Sequence, residues 1–388
     1  MKLIHTGDWH LGATLHGRSR IQEHQRFLTW LHRRVVQERI DVLLVAGDVF
    51  DTAAPDPATL ALFRRFLESI VDSPCRLVAI VAGERDTPGV LGTPHELLSR
   101  PEVQVFSRMA DNPADEVLVV GDPDGRAELV LCAVPFSHGR QPTAEAIQEH
   151  CAAVIDAAGR VRSGLSRSVP CIVMGHLQID TASGTGPAPL PPVPATIFPP
   201  SVAYAALGHV HASQAFGEGE CGYYCGSPVA LSFAETGGPH GIVEVELDSG
   251  SRRVSRIPVP SQHELIQIRG TVDQTVQHIG RLVERNAHAW VEVIVRGELD
   301  TEQLRPQIQQ MLAGSTLEVI RLSRELTEAP AESQLPVPPN QPLDAPLKRL
   351  LDAQNVTEKE RRVLLETFSS IAETLSPDRR THPQSEDQ

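Results

Sequence analysis

Residues 42–51, VLLVAGDVFD, decide the fold of this chain. An apolar run over residues 42–46 is followed directly by Gly47 and Asp48. Such a run predicts a strand that is buried on both faces, as in a parallel sheet covered by helices. The segment therefore predicts a strand over 42–47 that carries a carboxylate at its carboxyl end.

The same arrangement recurs four more times. Strand-like runs at 2–7, 77–83, 171–175 and 204–208 each end in a polar cluster. In chain order these clusters contain Asp8 and His10, then Glu84, Arg85 and Asp86, then His176, and finally His209 and His211. Loops at the carboxyl ends of strands in an open α/β sheet meet at one crevice, so we expect the clusters to converge.

The segments between these runs predict the remaining layers. Helices are expected over 19–38, 57–71, 93–100 and 143–160, from apolar residues at helical spacing. Further strands are expected over 116–120, 128–134 and 241–247. Alternating strands and helices followed by more strands predict an α/β sandwich, with sheets inside and helices outside.

The second half of the chain predicts smaller units. Residues 184–200 hold seven prolines, which exclude a helix or a central strand and predict an extended loop. A strand–helix–strand–helix–strand order is expected within 263–325. We predict a first domain over 1–260, a small αβ cap domain over 261–326, a Pro-rich linker over 327–346, a helical region over 347–376 and a disordered tail over 377–388.

Composition limits the function classes. The 388 residues carry a net charge of −14, which excludes a protein that coats nucleic acid by bulk charge. No apolar run approaches the roughly 18 residues that a membrane span needs, and the N-terminus does not resemble a secretory signal. The six cysteines form no CxxC pair, so we expect buried free thiols in a reducing cytoplasm.

The polar clusters together predict a metal site. A single Asp-x-His is usually a turn, and a single Gly-Asp is usually a cap, so no one cluster decides the matter. Alternate residues of an extended segment face the same side, which lets Asp8 and His10 reach one ion. Carboxylates and imidazoles suit Mn²⁺, Fe²⁺ or Zn²⁺ better than Ca²⁺. One carboxylate, such as Asp48, can bridge two ions about 4 Å apart.

The motifs then resemble a known family. His5-Thr-Gly-Asp8-Trp-His10-Leu-Gly12, Ala46-Gly-Asp48-Val-Phe-Asp51-Thr52 and Leu207-Gly-His209-Val-His211 look like those of the calcineurin-type metallophosphoesterases. Within them the chain resembles the bacterial SbcD nucleases, whose segment after the last histidine pair is similar to Tyr224-Cys-Gly-Ser-Pro228 and Leu231-Ser-Phe233. This resemblance implies a β-sandwich flanked by helices, with a small αβ cap domain and a C-terminal helical region.

The resemblance also implies roles for single residues. Asp8, His10 and His211 would bind a first metal ion, His176 and His209 a second, and Asp48 would bridge both. The expected cofactors are two divalent ions, with Mn²⁺ as the expected metal. The implied partner is an SbcC-type ATPase, and Leu364, Phe368, Ile371 and Leu375 fall on one helical face that could contact it or pack on its own chain. The family forms a homodimer of this subunit within a heterotetramer.

One motif departs from the family pattern. Where the family has Gly-Asn-His-Asp, this chain has Gly83-Glu84-Arg85-Asp86. Glu84 could replace the Asn ligand of the second metal, and Arg85 and Asp86 are the expected catalytic residues. Arg85 cannot be an acid near neutrality, but it can hold a positive charge against phosphate. Glu84 and Arg85 could instead pair with each other, so activity could be altered, near normal or absent.

The resulting interpretation is a metal-dependent, ATP-stimulated DNA exonuclease and endonuclease. It would act on DNA ends or hairpins in repair, replication and recombination. The alternatives are a small-molecule phosphodiesterase and a catalytically silent scaffold that binds DNA ends for the ATPase.

Three weaker signals complete the sequence interpretation. Four residues after the first motif either contact phosphate or lie on a solvated helix start: Arg18, Arg20, His24 and Gln25. Trp9 is expected to form a wall of the metal pocket. His138 is expected to be an ordinary loop or surface histidine.

Overall fold

A computed structural model describes residues 1–92, 100–138, 143–182, 190–236, 238, 240–248, 251–261, 263–297, 301–325, 361–365 and 367–368. Residues Met1–Glu325 lie in one compact unit, and Leu326–Gln388 belong to a second. The strands of the described part are, in chain order, β1 (Lys2–Thr6), β2 (Thr14–Leu15), β3 (Arg18–Ser19), β4 (Val42–Ala46), β5 (Leu77–Val81), β6 (Val103–Phe106), β7 (Val117–Gly121), β8 (Ala127–Val134), β9 (Cys171–His176), β10 (Tyr204–Gly208), β11 (Gln214–Phe216), β12 (Gly222–Tyr224), β13 (Gly241–Asp248), β14 (Ser251–Pro258), β15 (Glu264–Gly270), β16 (Ala289–Val295) and β17 (Glu318–Arg324). The helices are α1 (Ile21–Gln37), α2 (Pro57–Val71), α3 (Pro88–Leu91), α4 (Ala144–Ser163), α5 (Val272–Glu284) and α6 (Thr301–Leu312).

Two six-stranded sheets form the centre of the first unit. The first sheet has the order β14-β13-β1-β4-β5-β6, and the second has the order β11-β12-β10-β9-β8-β7. Strands β1, β4, β5 and β6 run parallel, as do β8, β9, β10 and β12. Antiparallel pairing occurs at one end of the first sheet, through β13 and β14, and at both edges of the second, through β11 and β7. Parallel central strands carry all their carboxyl-end loops to one edge.

Alternation along β4 explains the layers. Val42 and Leu44 pack against Leu131 of β8 in a core between the two sheets. Leu43 and Val45 point the other way and join a second core with α1 and α2. Successive side chains of a strand face opposite sides, so a strand covered on both faces must be apolar throughout. Full burial of each such side chain contributes about 1.5–3 kcal/mol, before entropy is counted.

Helix α4 covers the outer face of the second sheet. Its residues Ile147, Cys151 and Val154 pack on Val130 and Val173 in a third core. The chain therefore has helices outside and two sheets inside, and the predicted α/β sandwich is confirmed. Helix α2 begins where predicted because Asp56 accepts hydrogen bonds from the N–H groups of Ala58 and Thr59, at 2.8 and 2.9 Å.

A third sheet has its own core. Strands β15, β16 and β17 run parallel, with α5 and α6 as the connections between them. Ile279 and Leu304 of these helices pack on Val291 and Val293 of the central strand. The predicted strand–helix–strand–helix–strand order is confirmed. The domain boundaries at 260 and 326 stay a prediction, since both sides of residue 260 lie in one compact unit.

Several expectations fall wholly or partly outside the described residues. These are the helix at 93–100, the first part of the loop at 184–200, the linker at 327–346 and the tail at 377–388. Within 347–376, residues 361–365 and 367–368 are helical, and Leu364 is exposed. Ile371 and Leu375 lie outside the described part. All six cysteines are free thiols, and five of them are buried as predicted, whereas Cys221 is half-buried.

No helix among the described residues combines the length and the apolar character that crossing a bilayer requires.

Candidate metal centre

The polar clusters sit on sharp turns at the strand ends. Asp8, His10 and Asp48 have positive φ angles of 49°, 45° and 48°, and His209 has 99°. Non-glycine residues rarely adopt this region, and those that do cluster at functional sites, where the surrounding structure holds them. In the turns after β1, β4 and β10, the residues with unusual backbone angles are therefore the ones whose side chains enter the site. The surrounding structure holds the backbone of each turn in that conformation.

Backbone hydrogen bonds hold the first two turns together. The N–H of Asp8 donates to the carbonyl of Gly47 at 2.9 Å, and the N–H of His10 donates to that of Asp48 at 3.0 Å. The N–H of His209 donates to both carboxylate oxygens of Asp8, at 2.9 and 3.1 Å. The clusters from β1, β4 and β10 consequently form one framework.

Seven predicted side chains converge on this framework. They form three overlapping groups, and within each group the possible ligand atoms lie within 4.8 Å of one another. The groups are Asp8, His10 and His211; Glu84, His176 and His209; and Asp8, Asp48 and His176. The structure thus brings together every residue that the sequence analysis named as a metal ligand.

Asp48 lies between the first two groups. Its Oδ2 is 3.5 Å from Nε2 of His10, and its Oδ1 is 3.8 Å from Nε2 of His176. Burial raises the pKa of Asp48 well above its usual range; the charge on His176 opposes this, and nearby Glu84, Asp86 and Asp8 add to it. The negative charges of these neighbouring carboxylates are only partly balanced by the histidines, so the site favours the binding of cations.

Three of the imidazoles are oriented in the same way. Nδ1 of His10 donates to Asp51 at 3.2 Å, Nδ1 of His176 donates to the Ala46 carbonyl at 2.8 Å, and Nδ1 of His211 donates to Glu235 at 3.2 Å. Such partners fix the tautomer and leave Nε2 as the atom that can bind a metal. The arrangement is that of metal-binding histidines with their supporting acceptors.

Buried atoms without hydrogen-bond partners give a further test of whether these residues fit metal ions. Nε2 of His10, His209 and His211 and Oδ2 of Asp48 are buried and have no hydrogen-bond partner among the described residues. Leaving such groups unpaired costs about 1–3 kcal/mol each. Divalent cations would satisfy all four atoms at once, so the donor set fits metal ions.

Glu84 does not pair with Arg85. Its carboxylate accepts hydrogen bonds from Nε2 of His176 and from Nδ1 of His209, the latter at 3.1 Å. Burial works to raise the pKa of Glu84, but the charge on His176 and the hydrogen bonds from both histidines outweigh it and hold the pKa well below its usual range. The alternative of an internal Glu84–Arg85 ion pair is therefore wrong, because the histidines occupy the carboxylate.

Arg85 and Asp86 lie beside the metal groups. The Arg85 backbone N–H donates to Oδ1 of Asp48 at 2.9 Å, and its guanidinium donates to the Asp51 carbonyl at 3.2 Å. The Asp86 carboxylate accepts hydrogen bonds from the N–H groups of Val49, Phe50 and Gly83. These contacts indicate that Asp86 is a positioning residue, while a catalytic role for Arg85 stays a prediction.

The weaker sequence signals have mixed outcomes. A solvated position is confirmed for Arg18 and Gln25, which are exposed, and is wrong for Arg20, which is buried, pairs with Glu23 at 2.7 Å and donates to the Ala230 carbonyl. His24 is likewise buried. Trp9 is fully buried and packs on Phe27 of α1 and Phe66 of α2, while its expected role as a wall of the metal pocket stays a prediction. These side chains support the turn after β1 from below.

One glycine is required by close approach. A Cβ on Gly83 would collide with the carboxylate and backbone N–H of Asp48. Glu235 and Asp51 are supporting residues to which the sequence analysis assigned no role. Asp51 stood inside a quoted motif, whereas Glu235 lies in an ordinary Phe-Ala-Glu turn with no signal of its own.

The comparisons with known proteins agree with this site. Residues 1–213 match the family described as calcineurin-like phosphoesterase, which is more than half of the chain, and the chain belongs to that family. Residues 261–359 match the family described as type 5 capsule protein repressor C-terminal domain.

Curated relatives narrow the class. The chain is 28% identical over 401 residues to the D subunit of the nuclease SbcCD from Escherichia coli strain K12, covering 97% of this chain and 99% of that protein. Proteins of the same name from Rhodobacter capsulatus and Bacillus subtilis are 29% and 27% identical, over 69% and 76% of this chain and 71% and 79% of theirs. The chain is thus an SbcD-type protein, and its interpretation as a metal-dependent phosphoesterase, a class of hydrolase, is confirmed.

Proposed function

We propose that this chain hydrolyses phosphodiester bonds at DNA ends or hairpins, using two Mn²⁺ ions, as the nuclease subunit beside an SbcC-type ATPase in the cytoplasm. The single observation that carries the proposal is the position of Asp48. One of its oxygens lies beside His10 and the other beside His176. A carboxylate so placed suits a bridge between two cations.

Each group of side chains would hold one ion. Asp8, His10 and His211 form the first set, and Glu84, His176 and His209 form the second. Cations held there supply Lewis-acid chemistry, since they make water more acidic and neutralise charge on phosphate oxygens. The set of carboxylates and imidazoles favours a transition metal, and Mn²⁺ is proposed among the possible ions.

The chain's own residues supply position and charge. Asp51 and Glu235 fix the tautomers of His10 and His211, while the Asp86 carboxylate holds the turns after β4 and β5. The half-buried Arg85 donates its backbone N–H to Oδ1 of Asp48 and its guanidinium N–H to the Asp51 carbonyl, so its positive charge lies beside the site. We propose that its guanidinium meets a non-bridging phosphate oxygen.

The partners follow from the relatives' names and from charge. A chain with net charge −14 gains no general attraction to DNA, so the duplex would be held by a local patch or by the partner ATPase. We propose the ATPase as that partner, ATP hydrolysis as the step that stimulates cleavage, and a homodimer of this subunit within a heterotetramer.

The test combines binding with cleavage. The chain and its ATPase partner are incubated with Mn²⁺ and end-labelled duplex, hairpin DNA or small nucleotide diesters, and Mn²⁺ binding is measured by calorimetry. We expect two bound ions and cleavage of DNA. Asp48→Ala should lose both, whereas exposed Asp111→Asn should lose neither. Diester cleavage without DNA cleavage would favour a small-molecule phosphodiesterase.

A second candidate function rests on Glu84. Its carboxylate already forms hydrogen bonds with two of the proposed ligands, so the second set carries more negative charge than a neutral oxygen would give it. Extra negative charge strengthens cation binding but weakens Lewis acidity. A silent scaffold that binds DNA ends is the outcome if two ions bind and no substrate is cleaved.

A further inference from the structure

The segment after β8 reaches the edge of the metal centre. The N–H of Phe136 donates to the carbonyl of Ala82 at 2.9 Å, two residues before Glu84. The rings of Phe136 and His138 meet edge to face, with centroids 5.0 Å apart and an angle of 80°. The segment is therefore bonded to the end of β5 and holds an imidazole beside it.

The same segment shares a cleft with a proposed metal ligand. Pro135, Phe136 and Ser137 line this cleft together with His176 and Leu177. His176 also belongs to the group formed by Glu84, His176 and His209, so the cleft and this group share a side chain.

His138, at the end of this segment, has a ring nitrogen that forms no hydrogen bond with the described residues. Its Nε2 is buried and has no hydrogen-bond partner among the described residues, although the ring as a whole is half-buried. Burial lowers the pKa of His138, and the charges of Glu84 and His176 both act on it. A neutral imidazole with Nε2 protonated is a hydrogen-bond donor without a protein acceptor.

Each of the other imidazoles of the metal centre already forms a hydrogen bond with a protein group. His10, His176 and His211 donate from Nδ1 to protein acceptors, and His209 contacts Glu84. Their remaining nitrogens face the metal groups. His138 is a further imidazole on which the charges of Glu84 and His176 act, and its Nε2 has no partner among the described residues.

We propose that His138 is a further catalytic residue whose Nε2–H donates a hydrogen bond to the leaving oxygen of a phosphodiester held at the Glu84–His176–His209 group. This assignment rests on the proposed function. The bond from phosphorus to the water oxygen forms as the bond to the leaving oxygen breaks, and the leaving oxygen keeps that electron pair. The proton lost by the water passes through solvent to the leaving oxygen. His138 keeps its own proton and stabilises the developing charge.

The experiment compares two substrates. His138→Ala and His138→Gln are assayed with the ATPase partner and Mn²⁺ on duplex DNA ends and on bis-p-nitrophenyl phosphate, whose leaving group needs little stabilisation. Loss of one preorganised donor typically lowers kcat about 10²-fold or more. We expect that loss on DNA for His138→Ala, a loss below about tenfold on the activated diester, and partial recovery in His138→Gln, whose amide N–H replaces Nε2–H.

Two controls separate the possible failures. Mn²⁺ binding by calorimetry should be unchanged in His138→Ala, and exposed His278→Ala should match the wild type in every assay. Equal losses on both substrates, weakened Mn²⁺ binding or no loss at all would overturn the assignment of His138. A wild-type chain that binds two ions but cleaves neither substrate would overturn the proposed function, and this assignment with it.

Discussion

At the scale of single residues, the metal centre depends on side chains that touch no substrate. Glu235 accepts hydrogen bonds from Nδ1 of His211 at 3.2 Å and from the N–H of Leu231 at 2.8 Å. Its pKa is low because hydrogen bonds and the charge of His211 outweigh its burial. The carboxylate therefore stays charged and holds one imidazole nitrogen towards the first metal group.

Glu235→Gln should weaken the first metal group. The two carboxylate oxygens of Glu235 now accept hydrogen bonds from His211 and Leu231, whereas the Gln amide has only one oxygen. The imidazole of His211 is then no longer held in a fixed orientation. Loss of such a supporting partner typically costs about 10–100-fold in metal affinity. Titration calorimetry with Mn²⁺ measures the change, and exposed Glu218→Gln is the matched control. Unchanged affinity in Glu235→Gln would show that His211 does not depend on this contact.

Mn²⁺ should bind more tightly as pH rises, with release of a proton. Nδ1 of His176 donates to Ala46, and Nε2 donates to Glu84, so the metal-free imidazole is protonated. Burial opposes this charge, but Glu84 and Asp48 raise the pKa of His176 well above its ordinary value. A cation that takes Nε2 must displace this proton.

Calorimetry in two buffers of different ionisation enthalpy, at pH 6.5 and 8, counts the protons released. Glu84→Asn should release fewer, because it removes the charge that keeps His176 protonated. Binding without any proton release would contradict the protonated state.

At the scale of elements, the centre depends on two turns joined by one carboxylate. Asp86, in the turn after β5, accepts hydrogen bonds from Val49 and Phe50, in the turn after β4, at 3.2 and 3.0 Å. It also accepts from the N–H of Gly83 at 3.0 Å. The positions of Asp48 and Glu84 relative to each other follow from this link.

Asp86→Ala should destabilise the fold and loosen the metal centre together. It leaves buried N–H groups unpaired, each costing about 1–3 kcal/mol. We expect a lower free energy of unfolding by at least that amount and Mn²⁺ affinity lower by about tenfold or more, partly restored by excess Mn²⁺. Chemical denaturation and calorimetry test this, with Asp111→Ala as the exposed control. A stable variant with normal Mn²⁺ binding would refute the link.

The elements that the sequence predicts well are the buried ones. Strands β4, β5, β9 and β10 are continuous apolar runs, and their bounds agree with the prediction to within two residues. The sequence analysis did not predict strand β14, because its Ser251-Arg-Arg-Val-Ser-Arg segment is polar and lies at the edge of a sheet. Convergence of the polar clusters is predictable from parallel strands, but contacts such as Glu235 with His211 depend on loop paths that no local pattern encodes.

At the scale of the whole molecule, buried histidines make stability depend on pH. His5 donates from Nε2 to the Leu207 carbonyl, so its Nδ1 accepts from the Tyr204 hydroxyl. Burial lowers the pKa of His5 from 6.5 to about 3, against a smaller opposite effect of the Leu207 hydrogen bond. The folded chain therefore keeps this ring neutral where the unfolded chain protonates it.

Stability should fall as pH is lowered from 6.5 towards 3. In that range the unfolded state binds the extra proton, so His5 alone contributes a slope of about 1.4 kcal/mol per pH unit. His5→Gln keeps a donor for Leu207 and should flatten the dependence of unfolding free energy on pH. Denaturant titrations at several pH values measure it, beside exposed His278→Gln. An unchanged slope in His5→Gln would mean that the ring titrates in the folded chain.

The strand order of the first sheet has a consequence for synthesis on the ribosome. Strand β1 pairs on one side with β4 but on the other with β13, where Lys2 faces Glu246. A nascent chain that grows by roughly 5–20 residues per second therefore leaves one side of its first strand open for on the order of 10–50 s. During that interval the unpaired N–H and C=O groups of β1 are available to wrong partners, so early contact with a chaperone should raise the yield of correctly folded chain.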